Sequence, residues 1–348
     1  MKILSVNAGS SSLKFQLYEM PEEKVLISGL MERIGVGNSF YTIKVNGEKI
    51  KKEVELNNHE EAFETLVKEL EENNVVESLD EIEGIGHRVV QGGDYFDKTV
   101  VIDDEVLAKI DELSSLAPLH NPAAVTGIKA AKDVFPNAVQ TAVFDTAFHQ
   151  TMPKENFLYA LPISWYTDLK VRRYGAHGTS HKFVSQRMNE ILGRDDTKII
   201  TCHIGNGASV SAVLNGKCVN TSMGLTPNAG LIMGTRCGDI DASIIPYVME
   251  KTNMSPKEID NAINKESGIL EFIFQVKGKG TKILAQKQEG ELIDIIGPLG
   301  NGAFEYSKYQ NLAIICGWIG IFPLYELAKE AKKDGKNVNT YLGFRNKD

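Results

Sequence analysis

The stretches RYGAHGTSHKF (173–183) and TKIITCHIGNGASV (197–210) set out the plan of this 348-residue chain. A polar cluster leads into an amphipathic segment, and that segment into a short apolar run, Ile199 to Cys202, whose composition predicts a buried strand. His203, Ile204, Gly205, Asn206 and Gly207 come next, and Ala208 to Leu214 alternates as a returning strand. The loop therefore sits at a hairpin tip, where backbone N–H groups can face an anion. By itself it reads equally as a phosphate cradle and as a tight turn.

Working outward, the N-terminus has the same form. Ile3 to Val6 is a β-rich run that breaks into NAGSSS (7–12), and Leu13 to Tyr18 alternates as a second strand. The two loops lie 196 positions apart (203 minus 7). NAGSSS alone reads as a solvated serine turn, and the matching second copy argues against that reading. Two such loops, each opening a unit of strands, predict an α/β fold duplicated about a clamped ligand. That plan resembles the RNase H-like fold of the actin, hexokinase and Hsp70 superfamily.

Other elements follow from local signals. Asn46-Gly47 predicts a hairpin turn, and Asn58 with Glu61 caps a helix whose core stripe is Phe63, Leu66, Val67 and Leu70. Gly84 to Val90 reads as a strand that carries His87 and Arg88 toward Gln91-Gly92-Gly93-Asp94. A buried arginine there needs an anion, either a ligand or an internal carboxylate. Val139 to Phe144 is a strand ending at Asp145, which either points into a ligand crevice or caps the next helix. Thr179-Ser180 starts a helix, Lys182 to Leu192, with Phe183, Val184, Met188 and Ile191 on its buried side. Residues 222–241 hold too many glycines for a helix and carry Arg236, and Ser255, Pro256 and Glu258 box the start of a helix that runs to about Lys265.

The net charge of -8 argues against a nucleic-acid surface, while 42% hydrophobic and 24% charged residues are ordinary for a globular protein. The four cysteines lack metal-ligand spacing, which suits buried thiols in a reducing compartment. The N-terminus enters a strand without a signal-like segment, and no apolar run reaches membrane-spanning length, so the expected location is cytoplasmic.

Seven ordered motifs carry a specific resemblance: NAGSSSLKF (7–15), GHRVVQGGD (86–94), PLHNPA (118–123), VFDTAFHQTMP (143–153), RYGAHGTSH (173–181), HIGNGASV (203–210) and GLTPNAGLIMGTRCGDID (224–241). Together they resemble acetate kinase over residues 1 to about 269. The departures are Ala176 where a Phe is usual, Gln91 for His, Asn228-Ala229 for Leu-Glu and Cys237 for Ser. The resemblance implies Mg²⁺-dependent phosphoryl transfer from ATP to acetate, in a cytoplasmic homodimer that binds neither nucleic acid nor membrane. It implies catalytic roles for Asp145, His177 and Arg236, and substrate contacts from Arg88, Arg236 and His120. Lys14, Ser10, Ser12 and His203, Ile204, Gly205, Asn206 and Gly207 would hold ATP, and Asn7 the metal ion.

After Gly268 the motifs change. FIFQVKGKGTKILAQKQEGELIDIIGPLGNGAF (272–304) and the segment 311–348 resemble the electron-transfer subunit of dihydroorotate dehydrogenase, a ferredoxin reductase relative. Trp318 replaces a glycine needed at the nicotinamide turn, and the flavin-contacting segment is absent, so neither FAD nor NAD is expected. The expected organisation is an acetate kinase N-terminal domain (1–150), a truncated C-terminal domain (151–269) and a reductase-like fragment (270–348). That fragment is expected to hold strands at 272–276 and 292–296 and a βα unit over 312–333. An alternative is a non-catalytic or artefactual fusion of the two fragments, others are a propionate kinase and a flavin-linked reductase.

Overall fold

The computed structural model describes residues 1–268, 311–317 and 332–343. The chain divides into two compact units, Met1–Phe183 and Val184–Asp348.

In the first unit the alternating N-terminal segment forms β1 (Lys2–Gly9), β2 (Ser12–Glu19), β3 (Lys24–Glu32), β4 (Phe40–Val45) and β5 (Glu48–Glu53), an antiparallel meander. Asn46 and Gly47 turn the last hairpin with φ of 53° and 81°, the backbone twist a two-residue turn needs. Helix α1 (His59–Glu72) starts where Asn58 accepts a hydrogen bond from Glu61 N. Its Phe63, Leu66 and Leu70 are fully buried, each contributing about 2 kcal/mol of apolar burial.

Strand β6 (Ile82–Val89) lies parallel to β1. Beyond it come β7 (Val100–Val101), α2 (Asp104–Glu112), α3 (Asn121–Val134) and β8 (Val139–Phe144), and β8 lies parallel to β6. The sheet order is β5-β4-β3-β2-β1-β6-β8-β7. Two short helices, α4 (Lys154–Phe157) and α5 (Ile163–Leu169), lead to α6 (Gly178–Leu192).

The second unit repeats this order. Strand β9 (Lys198–Ile204) pairs antiparallel with β10 (Ala208–Leu214), which pairs antiparallel with β11 (Lys217–Thr221). Helices α7 (Ile244–Thr252) and α8 (Pro256–Lys265) follow, and α8 opens on the Ser255–Glu258 capping box. On its other side β9 takes β12 (Asn311–Gly317) in parallel, and β12 takes β13 (Asn337–Gly343) in parallel. The order β11-β10-β9-β12-β13 matches β3-β2-β1-β6-β8 of the first unit. The duplication signalled by two loops is a duplication of strand order.

Some expectations need correction. Asn7 is not in a loop: it lies within β1, opposite Lys14, and only Ser10 and Ser11 bridge the strands. The buried face of α6 is His181, Ser185, Met188 and Asn189, while Phe183 is 68% and Ile191 53% exposed. Met188 is buried as expected and Val184 half-buried, but Asn189 is held by Thr197, whose hydroxyl donates to Asn189 Oδ1 at 2.7 Å, so polar residues take the inward places expected of Phe183 and Ile191. The strands expected at 272–276 and 292–296 lie outside the described residues. So does most of the helix expected in the βα unit, whose strand is β12.

Three buried ionisable residues of the first unit bear on stability. Glu69, on the buried face of α1, accepts from Tyr41 Oη, from Lys52 Nζ at 2.6 Å and from Asn73 Nδ2 at 3.1 Å. Burial opposes its charge, and these donors outweigh that, so its carboxyl is held below the usual range. His87 is buried beside Gln140, with Nε2 and Oε1 2.9 Å apart. Burial, partly offset by that hydrogen bond, pushes His87 down to about 4, and burial does the same to His149.

Both imidazoles are therefore neutral in the folded protein and take up protons on unfolding at a pH below about 6.5. Their stabilisation is complete above that value and drains away as pH falls toward 4. The urea midpoint is expected to drop between pH 7 and pH 5. His87→Gln should flatten that slope, and an unchanged slope in the variant would rule out His87 as a source.

Candidate active site

Strand register builds the first cluster. Parallel pairing of β6 with β8 places Arg88 opposite Val143, one residue before the end of β8, so its side chain reaches the carboxylate that follows that strand. Arg88 Nη2 donates to Asp145 Oδ2 at 2.6 Å, and Nε lies 3.1 and 3.2 Å from the two oxygens. This is a fork-on-carboxylate pair with Asp145 2% and the Arg88 side chain 40% exposed. Burial opposes the guanidinium charge, but Asp145 raises its pKa above the ordinary value. Arg88 Nη1 makes a long contact, 3.5 Å, with Asn7 Oδ1.

Of the two readings of Arg88, the internal ion pair is therefore present, and it leaves only the Nη1 edge for a ligand. Asp145 does not cap a helix: the 3-10 turn Ala147–Thr151 begins from Thr146.

Around this pair lie residues whose roles were not legible in the motifs. Asn121 accepts from Gln91 N at 3.1 Å and donates to Gln91 O at 3.0 Å, tying the PLHNPA turn, and with it His120, to the Gln91–Asp94 loop. Thr146 Oγ1 accepts from Gly92 N at 2.9 Å. His59 donates through Nε2 to Gly9 O at 2.8 Å, beside the turn that carries Ser10 and precedes Ser12 and Lys14. Lys14 and Ser10 are exposed, and Ser12 is half-buried. His177 adopts φ of +60°, a left-handed backbone unusual for a side-chain-bearing residue. Gly178 donates to Asp145 O at 2.8 Å, and a Cβ on Gly178 would come within 2.2 Å of that oxygen. Only glycine permits this approach.

The second cluster belongs to the other unit. His203 and Ile204 lie at the end of β9, and Gly205, Asn206 and Gly207 alone form the hairpin tip, closed by Gly205 N to Gly207 O at 3.0 Å. Gly234 N donates to Asn206 O at 3.1 Å, which joins this tip to the Arg236 loop. That loop is shut by a reciprocal pair: Gly230 N to Asp239 Oδ1 at 2.7 Å and Asp239 N to Gly230 O at 2.9 Å. It is moored to the C-terminal turn of α8 through Cys237 N to Ile263 O and Thr235 Oγ1 to Asn264 O, so carbonyls that the helix leaves open are satisfied.

Arg236 is half-buried and donates to Pro227 O at 2.9 Å and contacts Met233 Sδ at 3.7 Å. Among the described residues no carboxylate pairs with it, and burial lowers its pKa. Arg88 has its counter-charge built in, whereas the Arg236 guanidinium meets one carbonyl and a thioether and no carboxylate among the described residues, a setting in which an oxyanion ligand would supply the counter-charge. Among the described residues no group of three or more His, Cys, Asp or Glu could hold a metal ion. No helix among the described residues is long and apolar enough to cross a membrane.

The repeated strand order places the chain in the duplicated α/β class, the fold it shares with solved acetate and propionate kinases. The profile described as "Acetokinase family" matches residues 2–304, and the chain belongs to that family. It is 55% identical to the acetate kinase of Macrococcus caseolyticus over 271 residues, 77% of this chain and 68% of that protein. It is 54% identical to the Bacillus mycoides acetate kinase over 292 residues, 83% of this chain and 73% of that protein. The crystal structure of Porphyromonas gingivalis acetate kinase superposes with a TM-score of 0.73 at 46% identity, covering 77% of this chain and 68% of that one. A propionate kinase from Francisella tularensis gives a TM-score of 0.74 at the same identity and coverage.

Proposed function

We propose that this chain is an acetate kinase, transferring the terminal phosphoryl group of MgATP reversibly to acetate to give acetyl phosphate and ADP. The observation that carries the reading is Arg236, a half-buried guanidinium without a carboxylate partner among the described residues, in a loop joined to the Asn206 hairpin tip. Acetate is already ionised at neutral pH, so the reaction needs no proton abstraction. It needs charge neutralisation and in-line placement.

In this reading Asp145 orients Arg88, whose Nη1 edge takes an oxygen of the substrate, with His120 nearby in the same substrate set. His177 donates to an equatorial phosphoryl oxygen, and Arg236 neutralises the charge developing on the transferred group. Gly205–Gly207, His203 and Ile204 contact the phosphates of ATP, as do Ser10, Ser12 and Lys14. Asn7 would hold the Mg²⁺ of the nucleotide through its amide oxygen, and the ion would supply further charge neutralisation.

The proposed organisation keeps an N-terminal domain (1–150), a C-terminal domain (151–269) and a reductase-like segment (270–348). The boundary near 269 rests on sequence motifs alone, and the family match runs on to 304. Hydroxylamine trapping of acetyl phosphate, with acetate and propionate in parallel, tests the function. Hydroxamate formation dependent on both ATP and acetate is expected. Its absence from folded, monodisperse protein would favour the non-catalytic fusion, and a preference for propionate would shift the substrate to the longer acid, as the Francisella tularensis neighbour suggests.

A further inference from the structure

We propose that His149 is a positioning residue, whose buried imidazole sets the backbone of the His177 turn against the Asp145 turn. The proposal rests on the reading of Asp145 and His177 as parts of a phosphoryl-transfer site. Three observations within the first unit carry it.

First, His149 is fully buried and its Nε2 lies 3.0 Å from Ala176 O. A carbonyl only accepts, so Nε2 carries the hydrogen and the tautomer is fixed by its partner. Second, Ala176 immediately precedes His177, and Gly178, immediately after it, donates to Asp145 O at 2.8 Å. The left-handed His177 is therefore fastened on both sides, and both fasteners lead back to one short turn, 145–149. Third, that turn is rigid in its own right: His149 N donates to Thr146 O at 3.1 Å, and Thr146 Oγ1 accepts from Gly92 N.

A left-handed backbone at a non-glycine residue persists only where its surroundings over-determine it. Without the His149 hydrogen bond the turn would lose its tie on the Ala176 side, and Ala176 O would be a buried acceptor without that donor. Packing alone does not account for an imidazole here, because its hydrogen bond falls on the single carbonyl that precedes His177. The neighbouring rings of Phe148 and His181, each 5.8 Å away, fill space around it.

Three variants test the proposal. His149→Gln keeps an amide N–H near the Nε2 position, His149→Asn is too short to reach Ala176 O, and His149→Phe fills the space without a donor. Steady-state kinetics should show kcat lowered about 10²-fold in the Phe and Asn variants, with KM for ATP and acetate nearly unchanged, and Gln restoring most of the rate. Hydrogen–deuterium exchange should show faster exchange in the peptide spanning 173–183 for Phe and Asn, and wild-type protection for Gln. If Phe does not fold, the Gln and Asn pair decides.

Equal kcat losses in Gln and Asn, or wild-type rates in Asn, would overturn the proposal. If the wild-type protein makes no acetyl phosphate, the functional reading fails separately, and exchange alone decides the positioning role: unchanged protection in Asn would then sink it.

Discussion

Arg236→Ala is expected to lower the rate of acetyl phosphate formation by about 10³-fold or more while leaving the fold intact. The size follows from the role of a guanidinium that meets charge only as it develops on a transferred phosphoryl group, where removal typically costs ~10³ to 10⁵ in kcat. The preserved fold follows from the geometry. The loop is closed by Gly230 and Asp239, and its backbone bond from Met233 N to Arg236 O survives the substitution. The side chain contributes one hydrogen bond to Pro227 O, about 1 kcal/mol. Arg236→Lys should recover part of the rate, because it keeps the charge and loses the planar fork. A wild-type rate in the alanine variant, measured by hydroxamate trapping, would remove Arg236 from the chemistry.

Asp145→Ala should cost about 10²-fold in kcat, and the effect should run through Arg88. Asp145 has no other hydrogen-bonding cation among the described residues, and two of the three Arg88 nitrogens are directed at it. Without the carboxylate the guanidinium is no longer held in one orientation, and misplacement of that kind costs on the order of 10² in rate. The stability loss should be about 2 kcal/mol, at the lower side of a buried pair, because the Arg88 side chain is 40% exposed.

A double-mutant cycle separates the alternatives. If Asp145 acts only by orienting Arg88, the Arg88→Ala, Asp145→Ala double variant is no slower than Arg88→Ala alone. Losses that multiply would mean that Asp145 acts on the substrate directly.

Much of the fold was legible because its signals are local. Asn46-Gly47, the Asn58 cap and the Ser255–Glu258 box each work through partners within four residues, and each forms as expected. The pairing of Asn7 with Lys14 could be anticipated as a hairpin, although not the length of its strands, since two serines suffice to turn it. For α6, composition pointed to Phe183 and Ile191 as core, but a helix buries whichever face its neighbours satisfy, and here that face is Met188 with three polar residues, His181, Ser185 and Asn189.

The candidate site divides along the same line. Arg88, Asp145, His177 and Arg236 stand out as residue types in unusual settings, glycine-rich turns and strand ends. His59, Asn121, Thr146 and His149 do not, because a buried polar residue announces itself only through a partner, and theirs lie 50, 30, 54 and 27 positions away.

The sequence by itself determined the Asn46-Gly47 turn, the Asn58 and Ser255 caps and the presence of two arginines near glycine-rich turns, since neighbours along the chain are enough to specify them. Only the tertiary structure decided that Arg88 is paired and Arg236 is not among the described residues. Strand register brings a carboxylate 57 positions distant onto the first guanidinium, while the closed loop around the second offers it one carbonyl and a thioether. Which guanidinium is paired among the described residues is fixed by contacts between segments distant in the chain, and no local rule contains that information.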